Sequence, residues 1–389
     1  MTPRILVIAG SDSGGGAGIQ ADIKTITMLG GHAMTAITAV TAQNTVGVDA
    51  VHPVPTAIVM AQIDAVVEDI GVDAVKIGMI GSPDTARAVA ERLREANAVP
   101  IVFDPVMVAT SGAALADAAT IAAFAELMDR ATIATPNLPE LAALAGHRPE
   151  EDDPVASALK LVSDHGCAVL IKGGHDEGDQ LVDALIEEDN MTSWQGSRID
   201  TPHTHGTGCT MASAIATFLA YGCDLPAAVD RAREFVRMAL RGAPVLGQGH
   251  GPMGQGSVGA GWGTGLVMNQ VTVCMDDYAA SRDFYRQLGL RQIVANPPDY
   301  ARFELAGGAT FSIHRDPRFG TPGGTTVYFE SANLDAEVDR LRRAGLAFEH
   351  APIDQPWLWR EVRLRDPFGN IVCLYSAGEN RRFPPWRSA

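Results

Sequence analysis

Thr204-His205-Gly206-Thr207-Gly208-Cys209-Thr210, followed at once by Met211-Ala212-Ser213-Ala214-Ile215-Ala216, is the stretch that most narrows what this chain can fold into. Two glycines among small polar residues lead into a run of small apolar ones, the pattern of a closely packed helix opening from a loop. Such a helix start binds anions, because its unpaired N–H groups and the helix dipole both favour negative charge. Cys209 falls in the first turn, where the same positive end favours a thiolate. An anion cradle and a low-pKa nucleophile or base are therefore expected within one turn. The plainer alternative is that the glycines merely allow close helix packing and Cys209 is a small buried hydrophobe. The stretch alone leaves both open.

The segments before it read as alternating strands and helices. Ile5-Leu6-Val7-Ile8-Ala9 is a continuous apolar run, as expected of a strand buried on both faces of a parallel sheet. Gly10-Ser11-Asp12-Ser13-Gly14-Gly15-Gly16-Ala17-Gly18 follows, then a helix with Ile19, Ile23, Ile26 and Leu29 on one side. Strand, glycine loop and helix form the layout of a phosphate or small-ligand site at a strand's carboxyl end. The loop lacks the lysine of a P-loop and the spacing of a dinucleotide fingerprint. Asp22, one turn into the helix, is either a ligand contact or a carboxylate complementing the dipole. Strands are expected over 34–40, 48–54, 74–79, 100–107, 132–135 and 168–172, with a hairpin from 181–187 and 191–199 at the sheet edge. Helices are expected over 56–70, 82–96, 209–221 and 226–241. The alternation predicts an α/β fold around a mostly parallel sheet.

Within that frame, Gln43 lies in the Thr41-Ala42-Gln43-Asn44 connection of a possible flap. Its amide donates and accepts together, as recognition of an aminopyrimidine edge requires, or else it bonds local backbone. Asp104, Asn137, Glu140 and Lys172 all fall at or just past strand ends of the one sheet. Carboxylates and an Asn suit Mg²⁺ with its waters, and a Lys suits a triphosphate. Singly, Glu140 is also consistent with a first-turn helix charge and Lys172 with a solvated tip.

Bulk properties exclude some partners. The net charge is −16 and no cluster of Lys and Arg falls at helical spacing, so nucleic acid is not an expected ligand. Cys167, Cys209, Cys223, Cys274 and Cys373 are scattered without a C-x-x-C, which argues for a reducing compartment and against structural zinc. The N-terminal apolar run is too short for a signal peptide and nothing later approaches a membrane span. A soluble cytoplasmic protein is expected.

Several blocks carry a resemblance to a known family. They are Ile8-Ala9-Gly10-Ser11-Asp12, Gly15-Gly16-Ala17-Gly18-Ile19-Gln20-Ala21-Asp22-Ile23-Lys24-Thr25, Ala42-Gln43-Asn44-Thr45, Lys76-Ile77-Gly78-Met79, Asp104-Pro105-Val106-Met107, Thr135-Pro136-Asn137-Leu138-Pro139-Glu140, Lys172-Gly173-Gly174-His175 and His205-Gly206-Thr207-Gly208-Cys209-Thr210. Together, over residues 4–252, they resemble the hydroxymethylpyrimidine/phosphomethylpyrimidine kinases of thiamine biosynthesis. The resemblance implies a ribokinase-like fold and ATP with Mg²⁺. It implies phosphorylation of 4-amino-5-hydroxymethyl-2-methylpyrimidine and then of its monophosphate. Gln43 matches the residue that binds the pyrimidine, with Gly10, Asp22 and Met79 around it. Lys172 and Asn137 match ATP contacts, and Asp104 and Glu140 the metal site. Gly206, Thr207, Gly208 and Cys209 match the anion hole, with Cys209 where sugar kinases of this fold carry an Asp base. One departure is Thr110, in Val108-Ala109-Thr110-Ser111-Gly112, where the family usually has Lys. A pyridoxal kinase of the same fold is the competing expectation, and a non-catalytic, stress-protective binding protein is one from another class. The assembly expected is a homo-oligomer.

After Ala243 the character changes. Residues 253–264 are dense in glycine and nearly uncharged, and read as a flexible linker between domains at 1–252 and 265–378. Beyond it a βαβββ pattern occurs twice, with Arg282-Asp283-Phe284-Tyr285-Arg286-Gln287-Leu288-Gly289 early and Arg365-Asp366-Pro367-Phe368-Gly369-Asn370 late. This α+β half resembles the vicinal-oxygen-chelate superfamily of glyoxalases, extradiol dioxygenases and bleomycin-resistance proteins, a fold that hosts many chemistries. By resemblance the superfamily's metal ligands fall at Gln270, Ser312, Thr325 and Cys373, with His314 a shifted candidate. A neutral amide and two hydroxyls are poor ligands for a transition metal. Trp357 and Trp359 line a groove or pack between the two repeats. A ligand-binding or oligomerising module without a catalytic metal is expected.

Overall fold

The structure is a computed structural model of the chain. It describes residues 2–94, 99–109, 112–147, 153–173, 180–258, 267–275, 277–287, 291–304, 308–315, 326–343, 345–365 and 371–387. They fall into two compact units, Met1–Gly256 and Ser257–Ala389.

In the first unit, the apolar run Ile5–Ala9 is buried throughout, at the centre of β1 (Arg4–Asp12). Around it lie β2 (His32–Gln43), β3 (Val48–Pro53), β4 (Ala74–Ile77), β5 (Ile101–Phe103), β6 (Ile133–Ala134), β7 (Ala168–Ile171), β8 (Gln180–Ile186) and β9 (Met191–Ser197). The order across the sheet is β3-β2-β1-β4-β5-β6-β7-β8-β9. Neighbours from β2 to β7 run parallel, while β3 at one margin and β8 and β9 at the other are antiparallel. The expected flap is thus the β2–β3 hairpin.

Alternation along each strand sorts the two faces. Leu6, Ile8, Val75 and Ile77 join one core with α2 (Thr56–Asp69), α3 (Pro83–Arg94), α4 (Ala118–Met128), α5 (Leu138–Ala145) and α6 (Pro154–His165). The opposite face carries α1 (Gly18–Met28), α7 (Thr207–Ala220) and α8 (Leu225–Arg241), with α7 packed across β1, β4 and β5. Every α7 side chain from Thr210 to Phe218 is buried, so small residues are what this helix needs.

Lys76 sits between Val75 and Ile77 and therefore points toward α1 and α7. It is fully buried, with Nζ donating to Asp22 Oδ2 at 3.0 Å, and Ser213 Oγ donates to Asp22 Oδ1 at 2.7 Å. One hydrogen-bonded network thereby joins β4, α1 and α7. Burial works against the ammonium, but Asp22, then Cys209 and Asp104, outweigh it and hold Lys76 protonated above its ordinary range. Residues just past α8 also belong here. Met253 and Gln255 are buried, and Gln255 Nε2 donates to Thr210 Oγ1 at 3.0 Å, so the chain to Gly256 packs on the start of α7. Residues 259–264 of the expected linker lie outside the described residues.

The second unit repeats one motif. β10 (Val267–Cys274), α9 (Tyr278–Gln287), β11 (Arg291–Asn296), β12 (Tyr300–Glu304) and β13 (Thr310–His314) form the first copy. β14 (Thr326–Glu330), α10 (Leu334–Arg343), β15 (Ile353–Asp354), β16 (Arg360–Arg365) and β17 (Ile371–Ser376) form the second. Their sheet runs β11-β12-β13-β10-β14-β17-β16-β15, with β10 antiparallel to β14 at the join. Leu334 and Val338 of α10 close a core over Val362, Leu364 and Leu374.

The buried pair makes a stability test. Lys76→Met strands the Asp22 carboxylate without its counter-charge and should cost about 3–5 kcal/mol, whereas Lys76→Met with Asp22→Leu should regain most of that. Urea unfolding followed by circular dichroism measures both. A cost for the single variant near that of an exposed pair, below about 1 kcal/mol, would show that the pair does not hold these elements together.

Candidate active site

The chain leaves β1 for β2 on one side and returns to β4 on the other, so the loops at the carboxyl ends part there. Between them lies a cavity of about 650 Å³. Gly10, Gln43, Met79, Asp104, Asn137, Glu140, Lys172 and Gly206 to Cys209 all line it, from strand ends or the starts of α5 and α7. Asp22 does not. Its expected contact with a ligand is corrected by the structure, since both its oxygens are spent on Lys76 and Ser213 beneath the wall.

Gly206 is the N-cap of α7, at φ +87°, and a Cβ there would lie 2.0 Å from the Gly16 carbonyl oxygen. Only glycine allows the glycine loop and the α7 loop to approach so closely. In the first turn of α7 the amides of Gly208 and Cys209 have no acceptor within the helix. Asp104 and Lys172 converge on them: Lys172 Nζ is 3.4 Å from Asp104 Oδ1, and a Cβ on Gly208 would lie 3.3 Å from Asp104 Oδ2 and 3.5 Å from Lys172 Nζ. Thr135 Oγ1 donates to Asp104 Oδ1 at 3.2 Å.

Asn137 and Glu140 form a capping box at the start of α5. Asn137 Oδ1 accepts the Glu140 N–H at 2.9 Å, and Glu140 Oε2 accepts the Asn137 N–H at 2.9 Å. Glu140 Oε1 also accepts the Met107 N–H at 3.4 Å. Burial pushes the Glu140 carboxyl up, Lys172 pulls against it and Asp104 adds to it. Met79 fills the space beside Gly10, where a Cβ would meet its sulfur at 3.0 Å.

Cys209 departs from expectation. Its position in the first turn of α7 holds, but the thiolate is not favoured. Burial, with Asp22 and Asp104, outweighs Lys76 and an amide contact from Gly18, and the thiol is pushed up to about 12. Cys209 lines the cavity and is only half-buried, yet the desolvation cost there exceeds what the helix end returns.

Five further residues belong to the site. Lys76 reaches the cavity as well as Asp22, and a lone Lys in an apolar strand run was the signal for it, since such a charge needs a partner. Asp12 and His205 line the cavity beside Gln43, with His205 Nε2 3.0 Å from Asp12 Oδ2. At the opposite end Arg233 Nε donates to Asp183 Oδ2 at 2.6 Å, and Asp183 Oδ1 accepts the Gly173 N–H at 3.0 Å, which anchors the loop carrying Lys172. Thr110 and His175 lie outside the described residues.

Residues 12–254 match the family model for phosphomethylpyrimidine kinase. The chain belongs to that family. A hydroxymethylpyrimidine/phosphomethylpyrimidine kinase of Streptomyces coelicolor is 47% identical over 256 residues, covering 65% of this chain and 94% of that protein. The thiamine biosynthesis bifunctional protein ThiED of Geobacter sulfurreducens is 46% identical over 251 residues, 64% of this chain, and the match spans only 51% of its length. Among solved structures, the Bacillus subtilis pyridoxal kinase in its ADP complex superposes with a TM-score of 0.61 at 32% identity, covering 66% of this chain and 99% of that one. The first unit therefore has the ribokinase-like fold. Residues 267–374 match the glyoxalase/bleomycin resistance protein/dioxygenase superfamily.

In the second unit, register identifies what stands at the superfamily's metal positions. Gln270 of β10 pairs with Tyr328 of β14, and Tyr328 with Cys373 of β17, while Thr325 lies outside the described residues. Gln270 Nε2 donates to Ser312 Oγ at 3.2 Å, and Thr310 Oγ1 donates to Gln270 Oε1 at 2.9 Å. Burial, then Glu361, pushes the Cys373 thiol well up despite Arg363. Trp359 stacks on Tyr375 with ring centroids 4.3 Å apart, under the Arg302 guanidinium, so it packs inside, whereas Trp357 is 39% exposed. The full chain, incubated with nickel, zinc, iron or manganese and desalted without nucleotide, should retain less than one equivalent of each, as read by elemental analysis. Stoichiometric retention that Cys373→Ala abolishes would place a metal among these strands after all.

Proposed function

We propose that the first unit transfers the γ-phosphoryl group of ATP to the hydroxymethyl oxygen of 4-amino-5-hydroxymethyl-2-methylpyrimidine, and a second such group to the resulting monophosphate. What carries this reading is one cavity holding both the amide-lined start of α7 and the Gln43 pocket, in a chain of this kinase family. The phosphoryl group in flight sits against the Gly206–Cys209 amides, where fixed N–H dipoles meet its charge. Lys172 neutralises the nucleotide phosphates. Asn137 spends its oxygen on the cap, so contact with the nucleotide falls to its amide nitrogen. Asp104 suits Mg²⁺, which takes one or two carboxylates and completes its shell with water and phosphate oxygens. Glu140, its oxygens already held by backbone amides, is the second carboxylate. The ion, when bound with ATP, supplies charge neutralisation.

In the first transfer the substrate oxygen bonds to γ-phosphorus, the bond to the β-phosphate oxygen breaks, and the hydroxyl proton passes to the Cys209 sulfur. A thiol near 12 is deprotonated only in a small fraction at neutral pH, and that fraction rises tenfold per pH unit below 12. The first transfer should therefore accelerate with pH between about 7 and 9. The second should not, because its nucleophile is a phosphate oxygen with a pKa of about 6. Cys209→Ala should slow the first transfer by about 100- to 10,000-fold, the worth of a general base, and the second far less. Stopped assays on each substrate separate the two. Equal losses and parallel pH profiles would leave Cys209 a wall of the anion hole.

Gln43 reads the pyrimidine edge. Gln43→Ala leaves ring polar groups unpaired in a desolvated pocket, at about 1–3 kcal/mol, and should raise KM for the pyrimidine with KM for ATP little changed. A fall in ATP affinity instead would overturn the assignment. Pyridoxal is the second substrate to offer, given the superposition on a pyridoxal kinase. An ADP-release assay with both rings decides between them.

We further propose a cytoplasmic homo-oligomer. Cys167, Cys209, Cys223 and Cys373 are free thiols, and no helix among the described residues is long and apolar enough to cross a membrane. Exposed Ile353, Trp357 and Leu358 support a ligand-binding or oligomerising role for the second unit.

A further inference from the structure

The pyrimidine end of the cavity contains a pair that the phosphoryl transfer itself does not use. Asp12 closes β1 with its carboxylate buried, accepting N–H groups from Gly14 at 2.8 Å, Gly16 at 2.9 Å and Ala17 at 2.8 Å. His205 approaches from the loop before α7, its ring packed against Gly16, where a Cβ would lie 2.3 Å from His205 Cδ2. Its Nε2 stands 3.0 Å from Asp12 Oδ2 and 3.2 Å from the position given to Gln43 Nε2.

Proton accounting around these atoms has one solution. Burial works against the charged form of Asp12, but His205 and the amides of Ala17 and Gly14 outweigh it and hold the carboxyl below its ordinary range. An ionised carboxylate only accepts, so His205 Nε2 carries a proton. The single Nε2 proton lies between Asp12 Oδ2 and Gln43 and is shared by them, so both present acceptors, and at Gln43 that is the amide oxygen. The other end of the amide gives the same answer. Thr41 Oγ1 has a single proton and gives it to the Ser11 carbonyl at 2.9 Å. Toward Gln43, whose Oε1 is placed 3.3 Å away, that hydroxyl can therefore only accept, so turning the amide over brings its nitrogen to the hydroxyl as the donor. The opposite flip would set donor against donor at His205 and acceptor against acceptor at Thr41. Amide flips are assigned from such networks, and here both neighbours agree.

We infer that Asp12 and His205 are positioning residues that lock the flip of the Gln43 amide, and so fix the order in which its remaining N–H and remaining lone pair face the substrate ring. The inference rests on Gln43 reading the pyrimidine. A freely turning amide matches a ring edge with acceptor and donor in either order, and a locked one matches a single order. A 4-aminopyrimidine presents a ring-nitrogen acceptor beside an amino donor. Its 4-oxo counterpart presents a ring N–H donor beside a carbonyl acceptor, the reverse pattern. The lock therefore selects the amino ring against the oxo ring.

Two measurements test this. In ¹⁵N-labelled protein the His205 Nε2 should show the chemical shift of a protonated nitrogen, and a pyridine-type shift would overturn the lock whatever the enzyme's substrate. In assays with the 4-amino and 4-oxo rings, His205→Leu should shrink the preference for the amino ring by roughly tenfold or more, the worth of one buried hydrogen bond, mainly through KM for the ring and with KM for ATP unchanged. His205→Gln, which keeps an N–H near the Nε2 position, should retain the preference. A His205→Leu variant that slows both rings equally would make His205 a loop support instead. Failure of the wild type to phosphorylate either ring would overturn the proposed function and leave the nitrogen shift to decide the lock.

Discussion

A lysine ammonium with no access to water is among the most expensive groups a fold can bury, and the first unit is arranged around one. Isolated, it would cost many kcal/mol to desolvate, so the fold has to bring a carboxylate to it. Lys76 projects from β4 toward α1 and α7, and Asp22 meets it from α1 with Ser213 of α7 completing the carboxylate's bonds. The pair does more than hold helices. Lys76 is the cation that pulls the Cys209 thiol down, while Asp22 and Asp104 push it up. The protonation state of the cavity's sulfur is therefore set by a network whose members belong to the core.

The same arrangement explains why the site needs its glycines. With α7 fixed from below, its start can meet the loop after β1 only by backbone-to-backbone approach. Gly206 in the left-handed region, against the Gly16 carbonyl, provides that approach. His205 then bridges the two loops to Asp12 beside the Gln43 amide, through a bond made 193 residues apart in the chain. A cavity wall built this way is rigid because each loop is the other's packing surface.

Much of this was legible in the sequence, for reasons specific to each element. Ile5–Ala9 reads as a doubly buried strand because nothing polar interrupts it, and the duplicated βαβββ order of the second half follows from its repeated periodicity. The convergence of Asp104, Asn137, Glu140 and Lys172 follows from their common place at strand ends. What sequence could not supply is depth. Asp22 sits in the right motif yet faces Lys76, because helix phase turns it under the wall. Cys209 has the right helix terminus, but burial, with the Asp22 and Asp104 carboxylates, outweighs what Lys76 and the terminus half-charge return. In the second unit a register shift in β10, between Met268 and Gln270, puts Tyr328 opposite Gln270.

That offset has a consequence for the second unit's interior. Tyr328 lies edge-on to both Trp359 and Tyr375, whose rings stack on each other, and Arg302 caps the Trp359 face while donating to the Tyr300 hydroxyl at 2.8 Å. Tyr300 in turn shares a proton with Ser312 at 2.9 Å, and Ser312 accepts from Gln270. Around this, Glu330 pairs with Arg381 at 2.9 Å and accepts from Asn269, which itself accepts from Tyr375. A transition metal entering here would have to strip Gln270 and Ser312 of partners they already have, and would receive in return neutral oxygens and a thiol that burial keeps protonated. The donors are spent on each other. In a fold whose sheet can close around many chemistries, it is this mutual satisfaction of side chains, more than the strand order, that makes the described interior a packed core.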